Sequence, residues 1–224
     1  MIGLAEPSRP PLPEDEMVSR YIGAAQTQQD TLRGGTQEID IDAAVPELRK
    51  KGKLHALKSI TKLGKITFRV LGFSGDNTVK TEVIARYLKA EVDAAEEGPS
   101  RSITPENYKF KYKRADELNG RQVYVLHVTP RHNKVGLFKG EVWLDAETYM
   151  PVRESGSFVK SPSIFLKKVQ FVRDYEIQNG VSIPQRLASK ADVRFIGPVE
   201  LNIHYASFSK DDQDVEAASA ADQQ

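Results

Sequence analysis

The stretch LFKGEVWLDAETYMPVRESG, residues 137–156, decides how this chain folds. Its first half is extended sequence in which Phe138, Val142 and Leu144 share one alternating phase while Leu137 and Trp143 hold the other. The run ends at Asp145, and D-A-E-T (145–148) is turn chemistry, because short acidic and hydroxyl side chains hydrogen-bond their own backbone. Pro151 and Val152 then open a second extended run. A turn this short joins antiparallel neighbours, so the stretch reads as a hairpin whose strands are apolar on both flanks.

Working outward, the region from Tyr108 to Phe208 contains only such units. Strands are predicted at 108–116, 120–129, 137–145, 151–160, 164–176, 181–195 and 198–208, with turns at E-L-N-G (117–120), D-A-E-T (145–148), Q-N-G (178–180) and G-P (197–198). In YKFKYKR (108–114) Tyr108, Phe110 and Tyr112 take one face and lysines the other, as in a sheet with one wet side. QVYVLHV (122–128) does not: Tyr124, Leu126 and Val128 hold one phase, Val123 and Val125 the other. Nearer the start, TQEIDID alternates cleanly, with Ile39 and Ile41 opposite Glu38, Asp40 and Asp42, and two more strands follow near 52–61 and 65–73.

Two helices interrupt the strands. Over 14–33, Met17, Val18, Tyr21, Ile22, Ala25 and Leu32 fall on one face, Glu14, Asp15 and Glu16 occupy the acid-favouring first turn, and Gly34-Gly35 is a stop. After Gly75, Val79, Val83, Ile84, Tyr87, Leu88 and Val92 recur at helical spacing; Asp76, Asn77 or Thr78 supplies the cap and Gly98-Pro99 the end. Residues 1–13 are a Pro-rich arm and 210–224 an acidic polar tail, leaving 14–209 as one domain.

Composition narrows the function. With 32 basic and 31 acidic residues the chain lacks the basic excess of a nucleic-acid binder. The absence of cysteine excludes thiolate metal sites, thiol nucleophiles, disulfides and a lipid-modified cysteine anchor. No run of apolar residues is long enough to span a membrane as a helix. The opening MIGLAEPSRPPLP has neither a basic start nor a long apolar segment, which implies a cytosolic protein or a mature or truncated form of an exported one.

Catalytic motifs are weak. S-I-T-K (59–62) and S-F-V-K (157–160) match a Ser-x-x-Lys pattern, but both lie in strand-like sequence, where residues three apart face opposite ways. Of His55, His127, His132 and His204 only His127 and His132 are near in sequence, without companion ligands for a metal. Asp145, Glu147, Glu154 and Asp174 offer carboxylates, yet the first two belong to a turn. No phosphate-cradling glycine loop occurs. The reading is a non-enzymatic protein without cofactor or metal.

The basic run LRKKGKLHALKSITKLGK (48–65) carries no acid. Its Lys50, Lys51, Lys53, Lys58 and Lys62 form either a solvated outer face or a patch for an anionic membrane surface or acidic partner.

Strands greasy on both flanks need two covers, and two modest helices supply one. About ten twisted antiparallel strands tend to curl. The predicted fold is therefore α+β, mainly antiparallel: a large curled, part-open β-barrel covered by the N-terminal helix and the inserted one. Its interior is either packed with side chains or hollow and able to share space with a lipophilic guest.

The order of helix, strands, inserted helix and long meander, together with G-E-V-W-L-D (140–145), T-Y-M-P-V-R (148–153) and F-V-R-D-Y-E-I-Q-N-G-V-S-I-P (171–184), resembles the LolA/LolB-like outer-membrane lipoprotein-sorting proteins and the related MucB/RseB sensors. The resemblance covers about residues 36–207. It implies a periplasmic carrier in which an incomplete barrel closed by helices takes acyl chains of a lipoprotein or lipid into an apolar hollow; a sensor or protein-interaction module of the same fold is the alternative, with an enzyme of unrecognised type behind both. The candidate lining is Phe110, Tyr112, Tyr124, Leu126, Phe138, Val142, Phe165 and Phe171, with Tyr87 and Leu88 from the covering helix, and core packing is the rival role for each. Burying a methylene is worth about 0.8 kcal/mol, so one long acyl chain offers on the order of 10 kcal/mol without a covalent bond.

Overall fold

A computed structural model of the chain describes residues 12–161 and 166–210. Helix α1 (Glu14–Leu32) comes first, followed by strands β1 (Gly35–Val45), β2 (Lys50–Ile60) and β3 (Ile66–Gly75). A continuous helical segment comes next: α2 (Asn77–Val79), a π-helical turn (Lys80–Ile84) and α3 (Ala85–Glu97). The meander completes the chain with β4 (Tyr108–Leu118), β5 (Arg121–Pro130), β6 (Phe138–Asp145), β7 (Pro151–Phe158), β8 (Leu166–Gln178), β9 (Val181–Val193) and β10 (Gly197–Lys210).

All ten strands belong to one antiparallel sheet, ordered β3-β2-β1-β10-β9-β8-β7-β6-β5-β4. It curls without closing, and β3 and β4 are its two edges. Register irregularities between Tyr112 and Arg114, Trp143 and Leu144, and Asp174 and Tyr175 each insert an extra residue on one side of a ladder. Such bulges bend a strand and increase its twist, which rolls a flat meander into a trough.

The registers trace one row along the inner face through every strand: Tyr112, Leu126, Val142, Glu154, Arg173, Leu187, Ile203, Ile41, Leu54 and Phe73. Eight of these ten side chains are apolar or aromatic, and the two that are not, Glu154 and Arg173, stand opposite each other. On the outer face the corresponding row runs Arg114, Val125, Trp143, Arg153, Asp174 and Arg186. The Arg153 guanidinium lies 2.6 Å from Asp174 there. Val123 and Val125 are buried on this outer phase, so the doubly apolar reading of β5 holds.

Helix α1 lies across one end of the trough. The Glu14 carboxylate accepts the backbone N–H of Tyr112 at 2.7 Å, engaging edge strand β4. The Arg20 guanidinium sits over the Tyr149 ring in the β6–β7 turn, and the Gln28 amide donates to the Ser182 carbonyl beside the β8–β9 turn at 2.6 Å. Its buried face is Met17, Val18 and Tyr21, half of the predicted stripe, with Ile22 and Ala25 packed at the margin.

The inserted helix starts where Asp76, one of the three candidate caps, accepts the N–H groups of Thr78 and Val79. It ends at Gly98, whose φ of 50° a side chain would strain. Segment 77–97 carries the chain from edge strand β3 to edge strand β4 across the open side of the sheet.

The predicted strands differ from the observed ones mainly at their ends. The last hairpin turns at 194–196, with Phe195 at φ 68°, and Gly197-Pro198 opens β10 rather than forming the turn, so β9 ends two residues before the expected 195. The arm up to residue 11 and the tail from residue 211 lie outside the described residues.

Candidate functional site

Helices and sheet leave the interior unfilled. A cavity of about 1540 Å³ lies between α1, α3 and the concave faces of strands β7 to β10. Along β8 its wall is built by the inward phase, Val169, Phe171, Arg173 and Tyr175, because alternate residues of a strand share a face. Strand β9 contributes Leu187, Ser189, Ala191 and Val193 in the same way. The small side chains at 189 and 191 are part of why there is room.

The two ends of the hollow differ. Its outer end reaches the β9–β10 turn and the 3-10 turn Pro46–Leu48, where Leu48, Phe195 and Ile196 line the opening and stand in solvent. Phe195 is 96% exposed. A bulky side chain held at positive φ and left in water is costly on two counts.

The deep end, against α1, is polar. Arg173 Nη1 is 3.8 Å from Glu154 Oε2, and Arg173 Nη2 is 3.5 Å from Glu91 Oε1 of α3. Lys58 Nζ of β2 meets the other oxygen of Glu91 at 3.4 Å. Tyr175 hydrogen-bonds with both Arg173 and Glu154, Tyr87 with Glu91, and the hydroxyls of Tyr87 and Tyr205 are 3.4 Å apart. Tyr21 of α1 faces Glu154. A polar belt thus crosses the interior from α1 through β7 and β8 to α3 and β2.

The electrostatics follow from that depth. Burial pushes the Glu154 carboxyl up, and Arg173 and Tyr175 only partly offset it. Burial acts on Glu91 in the same sense, but two cations outweigh it and hold this carboxyl below its usual range. Burial raises the Tyr175 and Tyr87 phenols well above theirs, so both stay protonated donors. Arg173 keeps its proton, since its acidic and phenolic neighbours more than offset desolvation.

Of the predicted lining residues, Tyr87, Phe138 and Phe171 are on the cavity wall. Phe110, Tyr112, Tyr124, Leu126 and Val142 pack in the core beneath α1, where Tyr21 meets Phe110 and Tyr112 meets Tyr124 ring to ring. Leu88 packs against that core, and Phe165 lies outside the described residues. The polar belt went unread, although Arg173 falls in the phase of Phe171 and Tyr175, an arginine where the pattern asks for an apolar residue.

The five lysines divide. Lys58 points inward, 12% exposed, and belongs to the belt. Lys50 pairs with Asp76 at 3.3 Å and Lys53 with Asp42 at 2.8 Å. Lys51 is exposed, and Lys62 lies in the turn after β2. Both Ser-x-x-Lys matches begin in strands, at Ser59 in β2 and Ser157 in β7. Among the described residues no three metal-binding side chains converge, and no helix is long and apolar enough to cross a membrane.

No family model matches the chain, and no curated protein matches it significantly. Solved structures do. A DUF1329 family protein from Desulfovibrio piger is similar over 90% of this chain and 94% of its own, with a TM-score of 0.50 at 14% identity, a likeness of fold. A putative outer membrane lipoprotein-sorting protein domain from Vibrio parahaemolyticus aligns over 89% and 94% with a TM-score of 0.45 at 12% identity. A LolA superfamily protein from Nitrosomonas europaea aligns over 90% and 95% with a TM-score of 0.41 at 10% identity.

Proposed function

We propose that this protein is a cell-envelope carrier that captures a lipophilic, acylated ligand without a covalent bond. The observation that carries the reading is the hollow of about 1540 Å³ walled by apolar side chains of the sheet and both helices. Ordinary small-molecule pockets measure about 300–1,000 Å³, so there is room here for long acyl chains. Capture needs nothing beyond burial: each methylene taken from water contributes about 0.8 kcal/mol. The exposed Leu48, Phe195 and Ile196 give a tail an apolar surface to cross on its way in.

Native mass spectrometry of protein purified from an envelope extract, paired with titration of an uncharged solvatochromic dye, tests the proposal. The expected result is a co-purifying lipid and saturable dye uptake that added lipid reverses. Protein that emerges empty and takes up no dye overturns it. A stoichiometric protein partner retained after delipidation would instead favour a sensor of the same fold.

A further inference from the structure

Behind an opening lined by Leu48, Phe195 and Ile196 together with Arg194, the hollow has a polar floor, and a guest that is hydrocarbon throughout would strip water from that floor and give nothing in return. We infer that the ligand is an amphiphile that enters head first, its anionic head resting on Arg173 and the surrounding tyrosine hydroxyls and its acyl tail running along β8 toward Phe195. This deepens the carrier reading and rests on it.

Three observations argue for this orientation. The belt is loosely paired: Arg173 stands 3.5 Å from Glu91 and 3.8 Å from Glu154, longer than hydrogen bonds, and with the Tyr175 hydroxyl as its third neighbour the five N–H groups of the guanidinium still leave donor capacity. The belt is also donor-rich. Arg173, Lys58 and the hydroxyls of Tyr21, Tyr87, Tyr175 and Tyr205 surround two carboxylates, one of which, Glu91, is taken by Lys58 at 3.4 Å. Finally, the geometry suits a tail. From Arg173 back to Leu166 the wall of β8 rises about 20 Å at the usual advance per residue once the extra residue between Leu166 and Lys168 is discounted, the reach of an extended long-chain acyl group, and it ends near Phe195 at the opening.

The sign of the head follows from the same set. A cationic head would place a third positive charge beside Arg173 and Lys58, with only Glu154 left to receive it, 7% exposed and in an environment that favours its neutral form. A carboxylate or phosphate meets the guanidinium fork as acceptor to donor, and the Tyr175 or Tyr87 hydroxyl serves it by turning from Glu154 or Glu91.

The test displaces the uncharged dye from the full chain with palmitic acid, hexadecyl phosphate, methyl palmitate and hexadecylamine. The acid or the phosphate is expected to compete at least about tenfold better than the ester or the amine, the worth of one charge-assisted hydrogen bond, and whichever anion leads identifies the head. Arg173→Gln should erase that advantage, read as the ratio of acid to ester affinity within the same variant. Tyr175→Phe keeps every charge and the ring, and should lower the advantage about threefold, less than the loss of a full hydrogen bond. An ester as good as the acid, a leading amine, or an advantage that survives Arg173→Gln overturns the inference. If the dye binds and the ester displaces it equally well, the carrier reading stands and the head-first orientation falls; if nothing binds, both fall.

Discussion

Glu154 and Arg173 face each other across the β7–β8 ladder, 3.8 Å apart at their charged ends, in an inner row otherwise built of apolar and aromatic side chains. The pair is not a close ion pair. Its distance and its surroundings leave the Glu154 carboxyl raised above its ordinary value of 4.5, burial being the cause.

That has a consequence for stability against pH. A carboxyl raised on folding binds its proton more tightly in the native state. Its contribution is complete below pH 4.5 and is lost as pH rises through the raised value. Glu154→Gln keeps the shape of the neutral acid. The variant should match the natural protein near pH 4 and exceed it increasingly toward neutral pH, as measured by urea denaturation at a series of pH values. A variant less stable than the natural protein at neutral pH would show that ionised Glu154 supports the fold.

Asp145 behaves in the opposite sense. Burial would raise it, but the Arg121 guanidinium at 2.7 Å and donors from Thr148 and the Glu147 N–H hold it below its ordinary range. Its stabilisation is present above pH 3.8 and lost as pH falls through the lowered value. Asp145→Ala should cost about 3 kcal/mol, because the Thr148 and Glu147 donors and Arg121 lose a shared acceptor. Asp145→Asn, which keeps one acceptor oxygen for the turn, should cost roughly half as much. Chemical denaturation of both variants decides the point.

Gly140 and Gly156 are opposed on β6 and β7. A methyl group on Gly156 would lie 2.7 Å from the Phe138 ring and 2.5 Å from the Lys139 carbonyl oxygen, and one on Gly140 would meet the Ser155 carbonyl. The glycines let the two strands approach while Phe138, Phe158 and Phe171 pack ring on ring beside them. Gly156→Ala should therefore destabilise by about 2 kcal/mol, the usual cost of forcing a methyl into packed surroundings, read as a fall in Tm.

The hairpins, both helices and the curl were legible because each rests on local pattern: D-A-E-T makes its turn through Asp145, and Val123 and Val125 are as buried as their neighbours Tyr124 and Leu126. The division between core and cavity was not. Phe110 and Phe171 look alike in sequence, yet one lies under α1 and the other on the hollow, a distinction set by where a helix crosses the sheet. Lys58 sits in a basic run that reads as solvated, and only its phase with Leu54 and Ala56 turns it inward. Glu154 and Arg173 meet through a ladder register, and bulges such as the one at Trp143 shift that register without a mark in the sequence.

The inserted helix also bears on how a guest could come and go. Since β3 and β4 are the borders of the sheet and segment 77–97 is the strap between them, the trough is unlaced along that one seam. Prying it apart there breaks no interstrand hydrogen bond. Expansion for a bulkier passenger is resisted there by side-chain packing and by side-chain ties at Glu91, Lys50 and Lys134 rather than by a ladder, so the vessel is stiffer around the rest of its girth than along this seam.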